Sequence, residues 1–147
     1  MIRIMMVTII LILISGCLSH DTQVYGTIDK SNKTVMVPTG SEGLKGKLKQ
    51  TLAKNGWKLV VYKGASVTEG KVGENTKLES YDTFKAKYRL IVNDNQYDIC
   101  VNLSPAIYFD ISFIDNESGS EVFTISGNDC ESDAVESFMN TIQKNSI

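Results

Sequence analysis

FKAKYRLIVNDNQYDICVNLSPAIYFDISFIDNESGSEVFTIS, residues 84–126, is the stretch that decides the fold. Phe84, Ala86, Tyr88, Leu90 and Val92 alternate with Lys85, Lys87 and Arg89. That is the period of two expected of a strand with one buried and one wet face. Asn93-Asp94-Asn95-Gln96 has the composition of a turn. Tyr97, Ile99, Val101 and Leu103 then alternate with Asp98, Cys100 and Asn102 until Ser104-Pro105 breaks the run. Ile107, Phe109, Ile111 and Phe113 alternate with Tyr108, Asp110 and Ser112. Asn116 to Ser120 (NESGS) supplies a hairpin turn, and Val122 to Ser126 a last strand. The expectation is an antiparallel meander of four strands.

Working outward, Thr34-Val35-Met36-Val37-Pro38 is a short apolar strand that Pro38 ends. Thr39-Gly40-Ser41 is a turn, with Ser41 as N-cap and Glu42 in the first turn of a helix. Leu44, Leu48, Leu52 and Ala53 recur at helical spacing, and Lys45, Lys47, Lys49 and Lys54 occupy the other faces. Asn55-Gly56 supplies the left-handed cap, and Trp57 to Tyr62 continue as a strand, completing a β–α–β unit. Downstream, Ala134, Val135, Phe138, Met139 and Ile142 make the apolar stripe of a helix over Ser132–Lys144. Helices flanking a meander predict an α+β two-layer sandwich: a mixed, mostly antiparallel sheet with two helices on one face.

Gly40, Gly43 and Gly46 surround the first helix start, but their spacing matches neither a phosphate loop nor a dinucleotide fingerprint. Gly43 and Gly46 are read as allowing close packing against the sheet. Residues 64–80 (GASVTEGKVGENTKLES) form a connection longer than a crossover needs. Val67, Val72 and Leu78, scattered there among glycines and polar residues, are the expected partner-binding positions.

No constellation names a reaction. The single His20 lies near the N-terminus, so the meander and both helices lack the commonest general base. Asp98 and Asp110 fall on the polar phase of neighbouring strands, where carboxylates are solvated or paired with Lys85, Lys87 or Arg89. Asp129, Glu131, Asp133 and Glu136 lack calcium-loop spacing and suit the N-terminal end of the last helix. The lysine face of the first helix is a solvated face or a contact for anionic lipid or polysaccharide. No cofactor, metal or catalytic residue is expected.

The N-terminus gives the address. Arg3 is a positive n-region, Ile4 to Ile14 an almost unbroken apolar run, and Ile14-Ser15-Gly16-Cys17 ends it. The run is too short for the roughly 20 apolar residues of a membrane span. These residues resemble a bacterial lipoprotein signal, with ISGC as its lipobox. The resemblance implies cleavage before Cys17, acylation of Cys17 and a lipid anchor in the cell envelope. Leu18 in place of Asp points to the outer membrane, facing the periplasm. The expected division is a signal peptide at 1–16, a lipidated tether at 17–33 and one domain at 34–147. Without 1–16 the chain has 131 residues and 14 basic against 17 acidic side chains, which argues against a nucleic-acid partner. In an oxidising compartment Cys100 and Cys130 form a disulfide; separately buried thiols and a metal pair are the alternatives.

The layout also resembles, as a pattern over residues 34–144, the LptE-like lipoproteins of lipopolysaccharide assembly. That resemblance implies a non-enzymatic binding or scaffold module for an envelope protein. An immunity or exclusion lipoprotein that neutralises a toxin is the alternative within that class. An enzyme acting on envelope polymers is the alternative outside it.

Overall fold

Leu44, Leu48 and Leu52 recur every four residues, and each is fully buried along one side of α1 (Gly43–Lys54). The structure is a computed structural model that describes residues 19–61, 70–71, 77–78 and 86–147. Asn55 caps α1, and Gly56 follows at a φ of 79°. The Gly56 N–H donates to Ala53 O at 3.1 Å and the Trp57 N–H to Leu52 O at 3.1 Å. This paired closure stops the helix and folds Trp57 back into the core. Helix α1 links β2 (Thr34–Val37) to β3 (Lys58–Val61), which pair in parallel with Val35 opposite Leu59.

The meander has three strands: β6 (Tyr88–Ile99), β7 (Pro105–Asp115) and β8 (Glu121–Cys130). Asn93-Asp94-Asn95-Gln96, expected as a turn, is continuous strand inside β6, with Asn93 opposite Asp110 and Asn95 opposite Tyr108. The reason is position in the sheet. Strand β2 pairs with β6 only at Tyr88 and Arg89, so the rest of β6 is an edge. Every residue from Asn93 to Ile99 is exposed. Polar residues there blunt an edge rather than reverse the chain.

A second correction concerns residues 17–33. From Ser19 this segment belongs to the domain: β1 (Ser19–Val24) pairs antiparallel with β8 along its whole length. Ile28 is fully buried, its N–H donating to Asn145 O and its carbonyl accepting from the Ile147 N–H. The six-stranded sheet therefore runs β1-β8-β7-β6-β2-β3, antiparallel from β1 to β6 and parallel beyond. Residues 64–80 contribute β4 (Gly70–Lys71) and β5 (Lys77–Leu78), a separate two-stranded pair.

Helix α2 (Glu131–Lys144) follows β8 without a loop and packs beside α1 on the same sheet face. The α+β two-layer sandwich expected from the sequence is the observed architecture. Its core is an aromatic column between the layers. Phe113 stacks on Tyr88 at 5.0 Å and on Phe123 at 5.2 Å, while Trp57 and Phe138 meet it edge-on. Such offset and edge contacts are the favoured geometries for ring quadrupoles. Gly46 serves a local purpose other than the sheet packing expected of it. A Cβ there would lie 2.0 Å from Ser41 O, so glycine admits the chain that enters α1. Among the described residues no helix is long and apolar enough to cross a membrane.

Candidate functional site

Two surfaces stand out, one at the end of the sheet where β7 begins and one along β1. The first is the tip of the β6–β7 hairpin. Tyr97 is the extra residue of a bulge between Gln96 and Asp98, after which the strands run on to Ile99 opposite Pro105. The loop closes on its own backbone: the Cys100 N–H donates to Ser104 O at 2.8 Å and the Leu103 N–H to Cys100 O at 2.9 Å. Leu103 holds a φ of 64°, alone among the described non-glycine residues in being positive. For an L-residue the left-handed region costs roughly 1–2 kcal/mol. Burial does not offset that cost, because the Leu103 side chain is 85% exposed, beside Val101 at 104% and Ile99 at 62%.

The tip is fastened to the body. Cys100 and Cys130 are joined by the expected disulfide, with Cα atoms 6.0 Å apart. The Asn102 side-chain amide donates to Ser132 Oγ at 3.2 Å, and the Ser132 N–H donates to Ser104 Oγ at 3.2 Å. Behind the tip, Tyr97 and Tyr108 lie with ring centroids 4.5 Å apart, and the Tyr97 hydroxyl donates to Asn128 Oδ1. Apolar side chains are thus held out in solvent on a cross-linked support.

The second surface is a groove of about 550 Å³ between β1 and α2, with His20, Thr22 and Val24 on one wall and Asp133, Glu136 and Asn140 on the other. His20 Nδ1 lies 2.7 Å from Asp129 Oδ2, within hydrogen-bond distance. The pair ties β1 to the end of β8. All six β1 residues are exposed, and β1 ends the strand order, so one backbone edge has no strand partner among the described residues.

The residues expected from sequence are distributed differently. Cys17, Val67 and Val72 lie outside the described residues. Leu78 is in β5, opposite Gly70. Asp98 and Asp110 do not meet: Asp98 opposes Ala106 and Asp110 opposes Asn93, four residues apart along β7. Lys47 pairs with the buried Glu131, and Lys49 donates to the carbonyls of Pro38 and Gly40. The lysine face is therefore partly used in holding α1 to its neighbours. Asp129, Cys130 and Asp133 bring potential ligand atoms within 4.8 Å of one another, but the Cys130 sulfur is in the disulfide and offers no thiolate.

At the opposite end of the sheet, Lys87 clasps Asp115 at 3.1 Å and Glu117 at 2.6 Å. The Glu117 and Asp115 carboxylates hold the Lys87 ammonium well above the usual lysine range. Burial works to raise the Asp115 pKa, but the Glu117 N–H, the Lys87 ammonium and the Ser118 N–H together keep it below the usual carboxylate range. This clasp fastens a turn and carries no open coordination position.

Sequence reasoning missed β1 and the exposed hairpin tip. The signal for the tip was present: Ile99 to Pro105 (ICVNLSP) carries no charge and holds one half of the cysteine pair.

No family model matches the sequence, and no curated protein sequence matches it. Among solved structures, the chain resembles a methionine variant of the PelC dodecamer from Paraburkholderia phytofirmans. The TM-score is 0.48 at 11% identity, over 86% of this chain and 94% of that one. A second crystal form of the PelC dodecamer from the same organism gives a TM-score of 0.44 at 14% identity, over 78% and 82% of the two chains.

Proposed function

We propose that this protein is a lipid-anchored, non-enzymatic envelope lipoprotein that binds an envelope protein partner. The anchor is Cys17, placed by its lipobox, in the outer membrane and facing the periplasm. The observation that carries the binding reading is the backbone edge of β1, which has no strand partner among the described residues, beside the groove on α2. An extended partner segment added to that edge would gain main-chain hydrogen bonds from β1. Its alternate side chains would enter the groove between Thr22 and Asn140. Docking through a sheet edge needs no nucleophile, metal or cofactor.

A photoreactive residue at Thr22, with one at Lys58 in the opposite edge strand as control, tests this in intact cells. One dominant protein adduct from position 22 and none from position 58 is the expected outcome. Adducts with glycan or lipid alone at position 22 would instead favour an enzyme or polymer-binding protein.

A further inference from the structure

We propose that the β6–β7 hairpin tip is a second membrane contact, seating Ile99, Val101 and Leu103 in the interfacial layer of the bilayer that holds the anchor. The proposal rests on reading Cys17 as the acylated residue. Its geometric basis is the register of the sheet. Ser19 opposes Asn128, Asn128 opposes Tyr108, and Tyr108 opposes Asn95. Strands β1 and β7 are both antiparallel to β8 and so run in the same direction. The N-terminal end of β1 therefore lies at the end of the sheet at which β7 begins. That end is the hairpin tip.

Distance agrees with direction. Cys17 is two residues from Ser19, a reach of at most about 7 Å. From the Ser19 row, β7 runs back three residues to Pro105, about 10 Å, before the loop begins. The lateral offset from β1 to β6 is three strand spacings, about 14 Å. An acyl chain on Cys17 thus leaves no slack to hold the domain away from the bilayer. The end of the sheet that carries Leu103 then faces the lipid.

The chemistry of that end fits an interface. Residues 99–105 carry no charged side chain. Three aliphatic side chains project at the apex, and Tyr97 and Tyr108 stand behind them with apolar rings and polar hydroxyls. Tyrosine at that depth is a mark of membrane–water boundaries. The positive φ at Leu103 costs the isolated domain stability, and the exposed apolar side chains of Val101 and Leu103 find a use if the loop enters lipid. The disulfide and the Asn102–Ser132 contact fix the loop, so little order is lost on seating. At the far end, the turn at Asn116–Ser120 sits beside the Lys87, Asp115 and Glu117 charges and offers no apolar apex.

The test uses the full-length acylated protein in phosphatidylethanolamine–phosphatidylglycerol vesicles whose acyl chains are brominated near the headgroup. Leu103→Trp is compared with Ser118→Trp in the far turn; the buried Trp57 gives the same background in both. Fatty-acid labelling of Cys17 is read on the same samples. The expected result is a blue-shifted Leu103→Trp emission, quenched several-fold more strongly than that of Ser118→Trp. Equal quenching of the two with Cys17 acylated overturns the proposal and leaves the lipoprotein reading standing. A blue shift without quenching also overturns it, because the tip is then covered by protein or a second copy. Unacylated Cys17 overturns the anchor reading and the proposal together.

Discussion

At position 103 the hairpin closes with a φ of 64°, a geometry that Asn or Gly adopts at lower cost than Leu. Leu103→Asn should therefore stabilise the protein by about 0.5–1 kcal/mol, since the exposed side chain gives up no packing. Thermal melting of the soluble, non-acylated form reads this as a rise of a few degrees. An unchanged or lower midpoint would mean that the loop conformation carries no strain. The residue was visible in the sequence as an apolar position, but alternation alone placed it on a strand. Backbone sign is invisible to a hydrophobic pattern, because Leu is not a residue from which positive φ is inferred. By contrast, the end of α1 was legible to the atom. Asn55-Gly56 before an aromatic residue has few other solutions.

Among the elements, β1 is the one whose place depends on a single glycine elsewhere. A Cβ at Gly127 would lie 2.4 Å from Ser19 O and 2.6 Å from His20 Cα, backbone atoms that cannot turn aside. Gly127→Ala should lift β1 from β8 and break the His20–Asp129 contact, at a cost of about 1–3 kcal/mol. Hydrogen exchange should then show fast amides over Ser19–Val24 with β6 and β7 still protected. Protection of β1 equal to that of the wild type would count against this account. The strand was hidden because SHDTQV is exposed at every position and buries nothing that a periodicity could report. The same blindness put a turn at Asn93–Gln96, where exposure and not chain reversal selects polar residues. Elements with a buried stripe, α1 and α2, were found within two residues of their ends; β1, made by edge pairing with no buried residue, was not.

Over the whole molecule, the Cys100–Cys130 disulfide joins the hairpin tip to the start of α2 across 30 residues of chain. In the loop-entropy model, closing that length stabilises the fold by about 3–4 kcal/mol. Cys100→Ser with Cys130→Ser should lower the denaturant midpoint accordingly; a loss under 1 kcal/mol would show that the hydrogen bonds at Asn102 and Ser132 suffice. The two-layer architecture was readable from the order of buried stripes, whereas the order of strands was not. That order has one further consequence, for the timing of assembly. Strand β1 lies at the start of the described chain, yet its pairing partner β8 ends at Cys130. The carbonyl and amide of Ile28 likewise wait for Ile147 and Asn145. A polypeptide emerging N-terminus first thus makes its outermost strand early and can add it to the sheet only after the final hairpin has left the exit. Of the described strands of the sheet, the first to be synthesised thus waits for the last.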